Sequence, residues 1–518
     1  VINGPIPYAP DGLPLVGPMP GVPNAYEACV FTFGITQGGG AGKVLAEWIT
    51  QGETEWDMWA IDPRRYSDYT DQDYCNQKAI EVYGHEYAMH FPHHEWPAGR
   101  DKKLSPVDDK IRANGGQMGA YNGWERANWY APEDYELPEE KRGVGADVII
   151  NENHAPADHT GRVREQWSFR RSNYFEHVGN EVKAVTESCG LLDMSAFAKI
   201  EVSGLGAREW LESIFANKIP KKRGRIALCH VLTSRGGVKS EFTVYEWKPG
   251  KFYLVSAGAY EAHDHDVLFR HLPADGSVTL NPITQQYGVL VLAGPNSRKV
   301  LEKLTRTPLD NANFGWLSGK PVSVGTASAH ALRVNFVGEL GWELHHPIEQ
   351  QNKIWDLVME AGAEFGIQPF GIRAMTAMAI EKSYRLIPLE LSIEYSAYES
   401  ALDRFIKLDK DFVGKKALVE RHEQGEAWRF VTLEVHGVDD ADARGSEAIY
   451  KGDELIGRAT HGGFGYRTGK SLALAMVRPG HDAIGSELEL RILGNRYKAI
   501  VVEESPFDTA NERLRADA

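Results

Sequence analysis

Cysteine is scarce, with 4 in 518 residues. Cys29, Cys75, Cys189 and Cys229 show no close spacing of zinc or redox type. That excludes a disulfide-stapled scaffold, and we read all four as reduced, mostly buried thiols in a cytosol-like compartment. Long apolar runs are also missing. The longest, such as Tyr287–Ala293 and Leu472–Val477, fall far short of the ~20 residues that a spanning helix needs. A soluble chain without a membrane span is therefore expected. Positive charge is in deficit, at 57 Lys+Arg against 72 Asp+Glu, a net −15. Nucleic acid or anionic lipid as the main partner would need the opposite field. An initiator Met and a secretory leader are absent from Val1-Ile2-Asn3-Gly4-Pro5, which reads as a processed chain or one that begins partway through its first domain.

Aromatic residues, by contrast, are plentiful: 13 Trp, 21 Tyr and 19 Phe, in a chain that is 42% hydrophobic and 25% charged. This is the composition of a folded protein. At roughly 150 residues per domain, the length allows two to four domains. Pro and Gly crowd the stretch Pro5–Pro18, with turn chemistry at Pro10-Asp11-Gly12. The aromatic run Phe31-Thr32-Phe33 leads to a glycine-rich segment, Gly34 to Gly42, which we expect to be a loop. Val44, Leu45, Trp48 and Ile49 then recur at helical spacing. The phosphate motifs fail here. Gln37 and Val44 stand where a P-loop needs Gly and Ser/Thr, and Lys43 stands where the dinucleotide fingerprint needs its third Gly. What survives is a helix start with approachable backbone N–H groups, suited to an anionic or electron-rich ligand edge. A tight structural turn explains the glycines equally well.

Residues 62–158 are polar and aromatic with scattered Pro, and read as an irregular connection that wraps a neighbour. His85, His90, His93 and His94 lie there without helical i, i+4 spacing or Cys partners, so no metal site is expected. From Trp167 the pattern becomes regular and repeats. Ile200–Leu211 and Leu290–Leu301 share one layout: an apolar strand, a small residue plus Gly, a turn, then an Arg-bearing amphipathic helix. Trp210, Leu211 and Ile214 match Val300, Leu301 and Leu304. The spacing suggests a duplicated α+β lobe, with chance resemblance of two βα turns as the alternative. After a helical stretch to His422, alternating strands from Arg429 to about Glu504 read as a small β-module, plausibly a barrel. The resulting division is 1–66, 67–165, 166–423 and 424–518.

Two acidic constellations stand out. In Arg235–Val244 a Gly-Gly turn precedes a strand that puts Glu241 and Thr243 on one face and Phe242 on the other. A half-buried Glu there would suit acid–base or electrostatic work, while an exposed edge-strand Glu is the default. In Asn335–His345 two carboxylates, Glu339 and Glu343, lie four apart. A carboxylate matches the paired N–H donors of a pterin or guanine edge. Solvent-facing carboxylates in a Gly-rich turn are the alternative.

Together these segments resemble a known family. Arg170-Arg171-Ser172-Asn173-Tyr174-Phe175, Val178-Gly179-Asn180-Glu181, Gly190–Ser195, Gly338–Glu343, Asp409–Gly414 and Gly469–Ala473 occur in an order similar to that of the folate-binding half of the dimethylglycine and sarcosine dehydrogenase family, related to the glycine-cleavage T-protein. Gly4-Pro5-Ile6, Asp11–Gly17, Phe33-Gly34-Ile35 and Gly38–Lys43 resemble the end of that family's flavin-dependent amine oxidase domain. The fold implied is α+β: T-protein-like duplicated folate-binding lobes and a C-terminal small β-barrel, preceded by the remnant of an FAD-dependent oxidoreductase domain. The resemblance implies FAD, with Gly34, Ile35, Gly38, Gly39 and Gly40 as one wall of an incomplete site, and tetrahydrofolate. Glu241, where the T-protein has Asp, would be catalytic. Glu343, Phe336 (usually Tyr), Phe242, Thr243, Leu344 and Arg404 would contact folate. Ile387-Pro388 replaces a typical Trp-Gly. The implied activity is oxidation of a small N-methyl amine with transfer of its carbon to tetrahydrofolate, in the cytoplasm, with no nucleic-acid partner and with a homo-oligomer or a complementing flavin chain as possible assemblies. A stand-alone folate-dependent transferase and a non-catalytic folate-binding subunit are the other readings.

Overall fold

The computed structural model describes residues 4–133, 135, 148–150 and 166–517. A two-stranded ribbon, β1 (Leu15–Pro18) and β2 (Tyr26–Cys29), packs on helix α1 (Ile35–Gln51), with Val16, Val44 and Trp48 buried between them. The glycine segment is not a loop, because α1 already begins at Ile35 and takes Gly38 to Gly42 into its first turns. Each helical Gly costs about 1 kcal/mol relative to Ala, and burial of Val44 and Trp48 further along offsets that local preference.

Residues 67–165, expected to be irregular, contain helix α2 (Gln72–Gly84), helix α3 (Asp108–Ala113) and the hairpin β3 (Gly116–Tyr121)–β4 (Trp124–Tyr130). Helix α2 buries no residue fully, so its sequence has no strong apolar period to read. Its start is fixed instead by Asp71, whose carboxylate accepts from the Tyr74 N–H at 2.8 Å. Ile111, Met118 and Ala127 enter the core of the second lobe. Residues 136–147 and 151–165 of this expected connection lie outside the described residues. The short strands β5 (Val148–Ile150) and β6 (Gln166–Ser168) pair with each other.

Helix α4 (Phe175–Glu187) and strand β7 (Gly190–Asp193) open the lobes. The first lobe is built from β8 (Ala198–Ser203), helix α5 (Ala207–Ile214), β9 (Ile226–Leu232), β10 (Val238–Lys248), β11 (Lys251–Ser256), helix α6 (Glu261–Arg270) and β12 (Thr279–Pro282). Its antiparallel sheet has the order β12-β8-β11-β10-β9. The second lobe has β13 (Tyr287–Ala293), helix α7 (Ser297–Glu302), β14 (Gly319–Val324), β15 (Ala327–Leu332), β16 (Gly341–Pro347), helix α8 (Gln351–Gly362), β17 (Gln368–Pro369) and helix α9 (Ile372–Glu381). Its order is β14-β15-β16-β13-β7-β17. After helix α10 (Lys415–Gln424) come β18 (Arg429–Val435), β19 (Ala448–Lys451), β20 (Glu454–Gly465), β21 (Lys470–Val477), β22 (Glu487–Ile492) and β23 (Asn495–Val502), which close into a barrel. Tyr287–Ala293 and Leu472–Val477, the two apolar runs, are interior strand segments, consistent with their continuous hydrophobicity.

The repeat seen in the sequence is structural. β8–α5 and β13–α7 occupy matching places in the two sheets, and the glycine that ends each strand has a left-handed backbone: Gly204 at φ 118 and Gly294 at φ 123. Two residues later, the N–H of Gly206 donates to Ser277 O at 3.1 Å and that of Asn296 to Ser188 O at 2.9 Å. A Cβ on Gly204 would meet Ser277 O at 2.2 Å, and one on Gly294 would meet Ser188 O and Val185 O at 2.5 Å.

Gly204→Ala and Gly294→Ala should therefore each destabilise the protein by about 2–4 kcal/mol, through backbone strain and a clash with a main-chain carbonyl. Urea unfolding checks this, and a near-neutral result at either position would contradict the equivalence of the two turns.

Candidate functional site

Strand alternation decides which residues can meet. On β10, Glu241, Thr243 and Tyr245 share one face; Phe242 and Val244 share the other and enter the core beneath α5 and α6. On β16, Glu343 and His345 share one face, while Trp342 and Leu344 enter the core behind the sheet. The Glu241 face and the Glu343 face look toward each other. Tyr245, Tyr253, Trp247 and Val255 of the first lobe form one apolar cluster with Leu332 of the second. The Tyr253 hydroxyl lies 3.0 Å from His345 Nδ1, and Tyr245 lies 3.4 Å from His330 Nδ1. Both candidate carboxylates thus lie on the inner faces of the paired lobes.

Glu241 is not an edge-strand residue, since β10 runs between β9 and β11. Its carboxylate is half-buried and lies 2.8 Å from Nε2 of His230, its cross-strand partner on β9. The His230 ring is itself completely buried and packs on Phe405 at 5.6 Å. Arg404, exposed on the same turn, lays its guanidinium over Phe405.

Neither carboxylate of the second constellation faces open solvent, and their environments differ. Glu339 is used up: Arg467 donates to one oxygen at 3.1 Å and Arg513 to the other at 2.7 Å. Glu343 has no cation among the described residues, only the His345 Nε2 contact at 3.0 Å. Burial pushes its carboxyl up to about 8 and holds His345 down to about 3. A buried carboxyl of this kind gains most from a ligand that brings its own N–H donors. Phe336 packs edge-on against Tyr384 at 5.6 Å. A cleft of about 360 Å³, lined by Tyr287, Ser328, His330 and His345, opens beside the imidazoles; Glu343 itself does not line it.

The structure thus brings Glu241, expected to be catalytic, and Thr243 and Glu343, expected to contact folate, onto facing surfaces. Arg404 and Phe336 sit in the flanking turns. Phe242 and Leu344 go to the cores behind the sheets, because alternation sends every second residue away. The flavin-wall residues form the open end of α1. Gly34 is its N-cap at φ 53 with no side-chain cap, Ile35 is 98% exposed, and a Cβ on Gly34, Gly38, Gly39 or Gly40 would meet nothing within 4 Å. The other end of α1 leads to Glu53, whose carboxylate accepts from the Ser234 N–H at 3.0 Å and from Arg235 Nε at 2.9 Å, in the turn that starts β10. His85, His90 and His94 surround the ring of Trp96. His230, His345 and Tyr253 were not singled out by the sequence; their only signal is a His or Tyr on the inner parity of a strand.

The pH dependence of stability checks the burial of Glu343. A carboxyl raised from 4.5 to about 8 stays protonated in the folded chain while the unfolded chain ionises, so stability falls as pH rises through that window and levels off above it. Glu343→Gln should remove a loss on the order of 5 kcal/mol between those limits. Glu181 and Asp264, likewise raised by burial to about 8 and about 7, add to the residual slope. An unchanged slope in urea midpoints against pH would show that Glu343 is hydrated.

The comparisons with known proteins agree with this architecture. The family model for the GCVT N-terminal domain matches residues 107–410, that for the glycine cleavage T-protein C-terminal barrel domain matches 429–508, and that for the FAD dependent oxidoreductase central domain matches 51–105. Mitochondrial dimethylglycine dehydrogenase of Homo sapiens is 36% identical over 519 residues, covering 99% of this chain and 57% of that protein. Mitochondrial sarcosine dehydrogenase of Mus musculus is 29% identical over 549 residues, covering 99% and 58%. The chain spans a little over half the length of these relatives. The crystal structure of aminomethyltransferase T from Bartonella henselae superposes with a TM-score of 0.63 at 18% identity, over 79% of this chain and 98% of that one, which supports the fold. With two facing lobes, a closing barrel and a domain match that spans more than half of its length, the protein belongs to the glycine cleavage T-protein family.

Proposed function

We propose that this chain is the folate-binding part of a flavin-dependent N-methyl-amine dehydrogenase of the dimethylglycine or sarcosine type, and that it converts the oxidised one-carbon unit to 5,10-methylenetetrahydrofolate. The observation that supports this best is the pair of inner-face carboxylates, one held by a histidine and one desolvated without a cation. Glu343 would pair with the N–H donors of the pterin edge through two parallel hydrogen bonds. Glu241 would stand near the folate nitrogens. When an iminium carbon closes onto N5 and N10, both nitrogens lose a proton. One leaves with the departing amine, and Glu241 accepts the other. The site must otherwise position the reactants and exclude water, which the packed lobes suit. A flavin, when bound, would supply the oxidation of the N-methyl group. The first turns of α1 fit one wall of its site because a Cβ on Gly34, Gly38, Gly39 or Gly40 would meet nothing within 4 Å.

Among the described residues no helix is long and apolar enough to cross a membrane. All four cysteines are free, which favours a reducing compartment. We assign the cytoplasm as the simplest such place, although the vertebrate relatives are mitochondrial by name. The amine, the electron acceptor and any complementing flavin chain belong to this proposal as well.

In the enzyme assembled with a complete flavin site, Glu241→Gln should leave amine oxidation intact and lower methylenetetrahydrofolate formation by about 100-fold or more, with free formaldehyde appearing instead. Unchanged partition in the folded variant would end the assignment. Tetrahydrofolate affinity should rise about tenfold per pH unit up to about 8 and then level off, because the ligand takes Glu343 as carboxylate. A flat titration calorimetry profile across that range would contradict the role of Glu343.

A further inference from the structure

His230 stands opposite Glu241 in the β9–β10 ladder with its ring fully buried. Nε2 is 2.8 Å from Glu241 Oε2, and Nδ1 is buried with no hydrogen-bond partner. That asymmetry decides which protonation state fits. An imidazolium would bury Nδ1–H as an unpaired donor, at about 1–3 kcal/mol, on top of the cost of a desolvated charge. The neutral Nδ1–H tautomer keeps the same orphan donor and turns a bare Nε2 lone pair toward the carboxylate. The neutral Nε2–H tautomer donates to Glu241 and leaves only a lone pair unsatisfied.

We propose that His230 is a positioning residue held as the neutral Nε2–H tautomer, which fixes Oε2 of Glu241 and leaves Oε1 as the oxygen that accepts the proton released by the folate nitrogens. This rests on the reading of Glu241 given above. Phe405, tilted against the imidazole at 54°, limits its rotation. The charged groups on the surrounding elements are Asp264 on α6, whose carboxyl feels the charge of Glu241; Lys239 at the β-bulge before it; and Arg404 beside Phe405. Among the described residues, none of these bonds to Glu241 directly, so the histidine is its one polar anchor.

Three variants and one spectrum test the proposal. In ligand-free protein labelled with nitrogen-15 histidine, the His230 resonances, assigned by their loss in His230→Gln, should report the neutral Nε2–H tautomer. In the enzyme assembled with a complete flavin site, His230→Leu should lower kcat for methylene transfer at least tenfold near neutrality and move the acid limb of its pH profile up by about one unit, with KM for tetrahydrofolate within about twofold. His230→Gln, whose side-chain N–H can donate to the same oxygen, should recover to within about threefold of wild type. An imidazolium or Nδ1–H signature, a wild-type pH profile in His230→Leu, or a His230→Gln as impaired as His230→Leu would overturn the proposal. Glu241→Gln separates the two levels. If that variant loses transfer while His230→Leu does not, only the positioning role falls. If Glu241→Gln retains transfer, the reading beneath it falls too.

Discussion

The imidazole of His345 sits between a carboxyl on its own strand and a phenol on the other lobe, at 3.0 Å from each. All three groups are buried. Two sheets that pack face to face must bury whatever polar groups lie on their inner faces, and here one neutral ring satisfies both neighbours at once. If it took up a proton, an unscreened positive charge would lie beside Lys199, which is buried and itself lowered to about 7. Keeping His345 neutral therefore keeps the lobes together, and keeps Glu343 without a cation that would compete with a ligand.

The two halves of the site are held at a fixed separation by different means. On the second lobe, Arg467 from the barrel joins Glu339 to Glu381 at the end of α9, and Arg513 from the tail adds a second donor, so the Asn335–Glu343 segment is tied to three elements. On the first lobe, Glu53 ties the end of α1 to the turn that starts β10. Arg64 bridges Asp62 to Asp266 of α6, with its three side chains nearly inaccessible. The open helix start with its row of glycines and the Glu241 strand are thus parts of one anchored body. The proposed carbon transfer would need that rigidity more than it would need a nucleophile.

Much of this was legible in the sequence for simple reasons. The duplicated strand–turn–helix was visible because a left-handed Gly and an amphipathic helix leave a mark at each copy. The facing of Glu241 and Thr243 followed from period-two alternation, and the same rule sends the side chains of Phe242 and Leu344 into the cores behind the sheets. The difference between Glu339 and Glu343 could not be read, because the arginines that neutralise one of them lie more than a hundred residues away in sequence. His230 was hidden for a similar reason: its meaning depends on cross-strand register. Helix α2 escaped because a helix that buries no face has no period, and the glycine segment misled because distant packing outweighed local propensity.

The claim that joins these observations is that a folate lies between the inner faces of the two lobes. A crystal structure of the protein with 5-formyltetrahydrofolate tests it most directly. The account predicts the pterin edge paired with the Glu343 carboxylate and the N5–N10 side within hydrogen-bonding reach of Glu241. A folate bound elsewhere, or bound there with Glu343 still engaged only by His345, would contradict it.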